Sequence, residues 1–189
     1  MSLSALDGGF ADPPVEAAHA FRAVLQALSR PGRIERIAGA APPSPCSPAA
    51  GAVLMTLCDP TTPLFLAPSH DTDDVRAWIA FHTAAPLCGP ETAQFALGTW
   101  GALQPVGRFS VGTSEYPDRS ATLIVEVETL AAGGARLTGP GIETEAALSL
   151  PEVDAFRVNR ARFPLGFDCL FTCGDRVAGL PRSTIVAEG

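Results

Sequence analysis

The sequence predicts an α/β protein, and three observations support that class. Segments in which apolar residues recur at helical spacing alternate along the chain with short runs typical of strands. No internal repeat is visible. The length of 189 residues suits one domain with a substantial core, so residues 1–189 are expected to form a single domain.

Four segments carry the signals of helices. The first begins at Asp12-Pro13-Pro14, where Asp12 is expected to cap free backbone amides, and Pro31-Gly32 stops it after Ser29. The third opens on acidic residues, which suit the positive end of a helix dipole. The four helices are predicted over residues 13–29, 49–57, 71–82 and 151–162.

Short apolar runs between these helices predict the strands, expected at 33–38, 64–66, 95–97, 109–111, 120–130, 135–138, 167–172 and 176–180. Residues 120–130 alternate well, although Ile124 falls on the otherwise polar face and suggests partial cover on both sides. Gly133-Gly134 is expected to turn this strand into 135–138 as an antiparallel hairpin. Residues 98–107 are expected to be a loop.

A second hairpin is predicted near the end of the chain, with Cys173-Gly174-Asp175 as the turn between 167–172 and 176–180. Gly174 accepts a positive φ without steric cost, and Asp175 can hydrogen-bond neighbouring backbone amides. Pro181 has no N–H to donate, so the second strand should end at Leu180.

Composition and charge exclude several functions. The chain is 47% hydrophobic and only 17% charged, which suggests that it covers surface against a partner. No apolar run approaches the roughly 20 residues that span a bilayer, and no signal peptide is indicated, so a cytoplasmic protein without membrane contact is expected. The net charge of −7, with no basic cluster that stands out, disfavours nucleic-acid binding.

The sequence contains no lysine, and all 13 basic residues are arginines. A Schiff base to pyridoxal phosphate and a Walker-type phosphate loop both require a lysine amine. Neither is therefore expected, and no cofactor is predicted. The last predicted helix carries Arg157, Arg160 and Arg162, which form either a mild basic face or an ordinary solvated surface.

No metal site and no catalytic set follow from residue spacing. The five cysteines form no C-x-x-C pair, and buried free thiols are favoured over a metal centre. They are Cys46, Cys58, Cys88, Cys169 and Cys173. The histidines His19, His70 and His82 share no helix face, so the catalytic residues stay unknown.

Two corners of the chain have groups that suit an anion. Arg182, Ser183 and Thr184 follow a strand end, while Gly139 and Gly141 lie in a Gly-rich turn. Arginine forks and glycine amides suit phosphate or phosphonate, and Arg119 is a further candidate for such a site. A solvated loop at the first corner and a plain turn at the second explain the same residues.

Several short motifs, spread over the chain, resemble one known family in its order. They are Gly8-Gly9-Phe10-Ala11-Asp12-Pro13, Phe21-Arg22, Ser29-Arg30-Pro31-Gly32, Asp59-Pro60-Thr61-Thr62-Pro63, Thr138-Gly139-Pro140-Gly141-Ile142, Phe163-Pro164-Leu165-Gly166-Phe167-Asp168 and Leu180-Pro181-Arg182-Ser183-Thr184. Together they resemble the H subunit of bacterial carbon–phosphorus lyase, the PhnH family. Ser183 stands where that pattern has a threonine.

The resemblance implies a three-layer α/β/α fold with a mixed sheet, similar to pyridoxal-phosphate-dependent transferases without the cofactor. It also implies a homodimer that assembles with the G, I and J subunits. With G, I and the L ATPase, such a subunit is assigned to the step in which ATP and methylphosphonate yield ribose 1-methylphosphonate 5-triphosphate and release adenine. The radical chemistry is implied to belong to J.

Two functions follow as hypotheses. The first is a structural or assembly subunit of this phosphonate-processing complex, inactive alone. The alternative is a free-standing transferase that binds phosphate or phosphonate around Arg119, Gly139, Gly141 and Arg182.

Overall fold

The computed structural model describes residues 6–189, and in that part of the chain five helices alternate with nine strands. The helices are α1 (Pro13–Ser29), α2 (Pro48–Leu57), α3 (Asp73–His82), α4 (Trp100–Leu103) and α5 (Val153–Arg160). The strands are β1 (Ile34–Arg36), β2 (Leu64–Leu66), β3 (Phe95–Thr99), β4 (Thr122–Glu126), β5 (Ala135–Thr138), β6 (Ala146–Leu148), β7 (Asp168–Cys173), β8 (Arg176–Leu180) and β9 (Ile185–Ala187). The predicted α/β class is confirmed.

A mixed six-stranded sheet lies at the centre, in the order β1-β8-β7-β4-β3-β2. Strands β2, β3, β4 and β7 run parallel to one another. Strand β8 pairs antiparallel with β7, and β1 pairs antiparallel with β8. The predicted β7–β8 hairpin is confirmed, and its turn contains Gly174 at φ +59°. The strand β8 ends at Leu180, directly before Pro181, as predicted.

Both faces of the central strands are covered, which explains why Ile124 breaks the alternation of β4. Ile124 packs on the side of α1, α2 and α3, together with Leu97 and Leu170. Leu123 and Val125 pack on the opposite side, and all three β4 side chains are fully buried. A strand in this position needs apolar residues at consecutive positions rather than at every second one.

The second face differs from the helical layer that a three-layer α/β/α fold would have. It is covered by a separate three-stranded antiparallel sheet, in the order β6-β5-β9, together with the short helix α4 and with α5. Leu137, Leu148 and Val186 of that sheet are buried there beside Leu103 and Phe156. A helical layer therefore covers one face, and a mixed layer covers the other.

The predicted hairpin between 120–130 and 135–138 is wrong. Strand β4 ends at Glu126 and pairs with β3 and β7, so both of its edges are occupied. Strand β5 lies in the second sheet and pairs with β6 and β9. Alternation and a Gly-Gly turn are local signals, and they cannot tell which strand will pair with the edges of β4.

Three smaller predictions are corrected. Residues 98–107 are not a plain loop, because β3 continues to Thr99 and α4 follows directly. Residues 109–111 form only a single bridge, between Val111 and Ser120. Strands β6 and β9, each three residues long, were not predicted.

Helix starts are capped by hydroxyls rather than by the expected aspartate. The Ser47 hydroxyl accepts from Ala50 N at 3.1 Å at the start of α2, and Thr72 does the same for α3. The Asp12 side chain makes no cap hydrogen bond; instead, Glu16 accepts from the Asp12 amide at 3.0 Å. Among the helices of residues 6–189, none combines the length and the apolar character that crossing a membrane requires.

Candidate functional site

Arg182 lies just beyond β8, and its guanidinium is used within the fold. Its Nη2 donates to Asp168 Oδ2 at 2.6 Å and to the Ser120 hydroxyl, while Nη1 donates to the Pro117 carbonyl at 2.7 Å. Nε and the backbone amide both donate to Asp168 Oδ1. The side chain is only 13% exposed. These contacts join the end of β8 to the start of β7 and to the turn before β4.

Arg119 is exposed in the turn immediately above these contacts, and its guanidinium stacks over the Tyr116 ring at 4.0 Å from the centroid. It borders a polar cleft of about 660 Å³ at the amino ends of β3 and β4. The lining includes Gln94, Ser110, Asp118, Arg119, Ser120 and Thr122. Arg119 is therefore the one predicted anion ligand that lines this cleft in the described part of the chain.

The remaining predicted ligands form a separate group. Gly139 lies against the Ser183–Ile185 segment, because a Cβ at Gly139 would come within 3.3 Å of the Ser183 carbonyl oxygen. Gly141 adopts φ +83° and packs so tightly on the Ser29 carbonyl that a Cβ would lie 2.0 Å from its oxygen. The Thr184 hydroxyl is buried and has no hydrogen-bond partner within residues 6–189.

The structure thus brings the predicted residues together as two sets rather than as one site. Arg119 and Arg182 meet at the turn before β4, but Arg182 is engaged by Asp168. Gly139, Ser183 and Thr184 meet at the junction of the two sheets, where backbone packs against backbone. At Gly141 the close approach of Ser29 is sufficient reason for glycine.

A different charged residue, Glu126, lies at the carboxyl end of β4, between Thr99 of β3 and Thr172 of β7. Ligands of open α/β sheets bind beyond the carboxyl ends of parallel strands. Its carboxylate accepts the Ser47 backbone amide at 2.6 Å, at the amino end of α2. Burial raises the pKa of Glu126, while the hydrogen bond from Ser47 acts in the opposite direction.

Glu126 was missed from the sequence because it occupies a polar position in an alternating run. The only available signal was a carboxylate at the last position of a buried strand. That signal indicates a candidate site only when the strand is known to be parallel to its neighbours. Glu126 also lines a cleft of about 420 Å³, with Thr99, Trp100, Thr129 and Ser149. A partly buried carboxyl group with a raised pKa can hold or accept a proton there.

Ser69 and His70 lie near the same edge. The Ser69 hydroxyl accepts from the Thr99 amide at 3.1 Å and is hydrogen-bonded to His70 Nδ1 at 2.9 Å. Burial lowers the pKa of His70, so the ring is neutral at pH 7. His70 precedes α3 and His82 ends it, as predicted, whereas His19 is exposed on α1.

The cysteines are free thiols in this structure, as predicted. Burial, and to a lesser extent the charge of Glu126, raises the pKa of Cys46 to about 12. Burial, and to a lesser extent the charge of Asp59, raises the pKa of Cys58 to about 12. Cys169 and Cys173 share one face of β7. A raised pKa keeps a thiol protonated and unreactive. Within residues 6–189, no three His, Cys, Asp or Glu side chains lie together as metal ligands would.

The fold and these sites define an α/β protein with two clefts, at opposite ends of its parallel strands. A family model described as bacterial phosphonate metabolism protein (PhnH) matches residues 8–187. The chain is 44% identical over 186 residues to alpha-D-ribose 1-methylphosphonate 5-triphosphate synthase subunit PhnH of Rhizobium meliloti (strain 1021), covering 94% of this chain and 93% of that protein. It is 33% identical over 194 residues to the putative C-P lyase subunit protein HtxG of Stutzerimonas stutzeri, covering 93% of each.

The chain belongs to the PhnH family of bacterial phosphonate metabolism proteins. The family resemblance seen in the sequence motifs is confirmed.

Proposed function

We propose that this chain is a subunit of the bacterial carbon–phosphorus lyase system for organic phosphonate catabolism. It works in the complex that makes alpha-D-ribose 1-methylphosphonate 5-triphosphate from ATP and methylphosphonate. The observation that carries this proposal is the 44% identity to a subunit of that name over nearly the full length of both chains. The similarity to a second protein named as a C-P lyase subunit supports it.

The role we propose is structural or assembly rather than independently catalytic. Support comes from Arg182, which is engaged within the fold, and from Gly139 and Gly141, whose neighbours are backbone groups. We further propose that the chain forms a homodimer, joins the G, I and J subunits, and functions in the cytoplasm. Because the sequence has no lysine, we propose that it forms no Schiff base with pyridoxal phosphate, despite the proposed likeness to transferases that do.

A genetic experiment tests the function. Deleting the gene in the organism that carries it should abolish growth on methylphosphonate as the sole phosphorus source and leave growth on inorganic phosphate unchanged. A plasmid copy should restore growth. Undiminished growth of the deletion strain on methylphosphonate would contradict the proposal.

A free-standing transferase that binds phosphate or phosphonate is the second candidate, and one observation favours it. Arg119 places an exposed guanidinium at the mouth of a polar cleft of about 660 Å³. An arginine fork is well suited to a phosphonate oxygen pair. This candidate requires turnover by the isolated chain.

A further inference from the structure

A groove runs between α5 and the edge strand β9, on the side of the molecule formed by the second sheet. Its volume is about 370 Å³. The residues that line it are Arg157, Arg160, Ala161, Ile185 and Val186. Two arginines therefore border an apolar floor, and we call this surface the α5–β9 groove.

Large apolar side chains are exposed along the groove and beside it. Val158 is 58% exposed, Phe163 50% and Ile185 48%. Ile185 lines the groove, Val158 of α5 lines a separate cavity bordered by the same helix, and Phe163 lies beyond the end of α5. Clustered apolar side chains that face solvent are typical of surfaces that a partner covers.

The positive charges of this surface are only partly neutralised by the fold. Arg160 and Arg162 have no acidic side chain within 4.0 Å in the described part of the chain, and Arg160 stacks over the Phe163 ring at 4.7 Å from its centroid. Arg157 contacts Asp154 at 3.2 Å, but both side chains are more than half exposed. An exposed pair of this kind is weak and easily exchanged for another partner. This is a positive surface on a chain of net charge −7.

We propose that the α5–β9 groove docks an acidic, apolar segment of a different subunit of the same complex, an inference that rests on the proposed function. Aspartate or glutamate side chains would pair with Arg157 and Arg160, and apolar ones would cover Ile185 and Ala161. A second copy of this chain does not fit as the occupant. A symmetric dimer centred here would place the arginines of one copy against those of the other.

The test uses the full-length tagged chain, co-expressed with the G, I and J subunits encoded with it. Arg157→Glu combined with Arg160→Glu should lower the recovery of the other subunits by about tenfold or more, because like charges then face each other across the interface. The matched control is Arg33→Glu with Arg36→Glu, which makes the same charge change at two exposed arginines of the β1 edge, outside the groove and outside the apolar face of α1. The control should retain recovery within about twofold, since surface charges away from the interface contribute little.

Three outcomes would overturn the inference: unchanged recovery with the groove variant, equal loss in the control, or loss of a homodimer by light scattering while the other subunits are still recovered. Thermal unfolding followed by circular dichroism checks that each variant is folded. Ile185→Asp, at an exposed position in the groove lining, must produce the same loss and replaces the double variant if that one does not fold. A wild-type chain that recovers no other subunit would instead contradict the proposed function itself.

Discussion

Arg182 and Glu126 show how the fold treats two charged side chains in different ways. Arg182 is surrounded by oxygen atoms of Asp168, Ser120 and Pro117, which match its planar fork of donors. Glu126 is partly buried with the Ser47 amide as its hydrogen-bond donor, and this burial raises the pKa of Glu126. The first residue therefore has its donors paired within the fold, while the second lies where burial disfavours the ionised carboxylate.

Replacing Arg182 by alanine should destabilise the protein by about 3 kcal/mol, because a largely buried Asp168 carboxylate would lose its partner. The control is Arg76→Ala, which breaks an exposed ion pair with Asp71 and should cost less than about 1 kcal/mol. Urea unfolding of the two variants measures both free energies. Equal losses would contradict the structural role of Arg182.

Glu126→Gln should make stability less dependent on pH. The folded-state pKa of Glu126 lies above its ordinary value of 4.5, so its favourable contribution is complete below that pH and is lost as pH rises through the folded-state pKa. Each pKa unit corresponds to about 1.4 kcal/mol. The variant should therefore lose less stability than the wild type between about pH 4.5 and pH 8, measured by chemical unfolding. The exposed Glu128→Gln is the control, and a similar flattening there would refute this explanation.

At the scale of elements, close packing of α1 on β8 organises one half of the molecule. Gly179 of β8 lies directly under this helix, and a Cβ there would approach the Ala27 carbonyl to 2.7 Å. The small side chain lets a helix backbone contact a strand backbone. The same contact holds β8, and through it β1 and β7, in the sheet.

Gly179→Ala should therefore destabilise the protein by about 2 kcal/mol, because α1 must shift to admit the methyl group. Gly133→Ala is the matched control, since a Cβ at Gly133 meets no atom within 4 Å. The melting temperatures of the two variants, by differential scanning calorimetry, provide the measurement. If Gly179→Ala has the same melting temperature as the wild type, α1 does not approach β8 this closely.

At the scale of the whole molecule, the chain combines a low charge content with exposed apolar side chains on two opposite faces. Phe21 and Leu25 are each 52% exposed on α1, and Val158 and Phe163 are exposed at α5. Such surfaces suit a protein that functions within an assembly. The two clefts at the ends of the parallel strands would remain accessible on the edges between those faces.

The isolated chain should not convert ATP and methylphosphonate, because in our proposal activity requires the other subunits. Chromatographic detection of released adenine measures this, with the co-purified assembly as the positive control. Turnover by the chain alone would favour the transferase candidate, and Arg119→Ala should then abolish methylphosphonate binding in calorimetry. Arg119 is a better probe than Arg182, since Arg182→Ala also disturbs the fold.

Local chemistry was sufficient to predict most elements, whereas the family was indicated by the resemblance of short motifs. Proline and glycine set the limits of α1 and of the β7–β8 hairpin, and apolar spacing placed α2 and α3. These signals act over a few residues, so they can be read from the chain in order. The seven scattered motifs, each weak alone, indicated PhnH because they occur along the chain in the order of that family.

Long-range contacts decided the rest. Glu126 meets an amide 79 positions away, and Arg182 meets a carbonyl 65 positions away. Whether β4 pairs with β5 or with β3 and β7 depends on which arrangement buries all three of Leu123, Ile124 and Val125. A sequence read locally determines where strands and helices form, whereas their partners, and therefore which charges become buried, follow only from the packing of distant segments against each other.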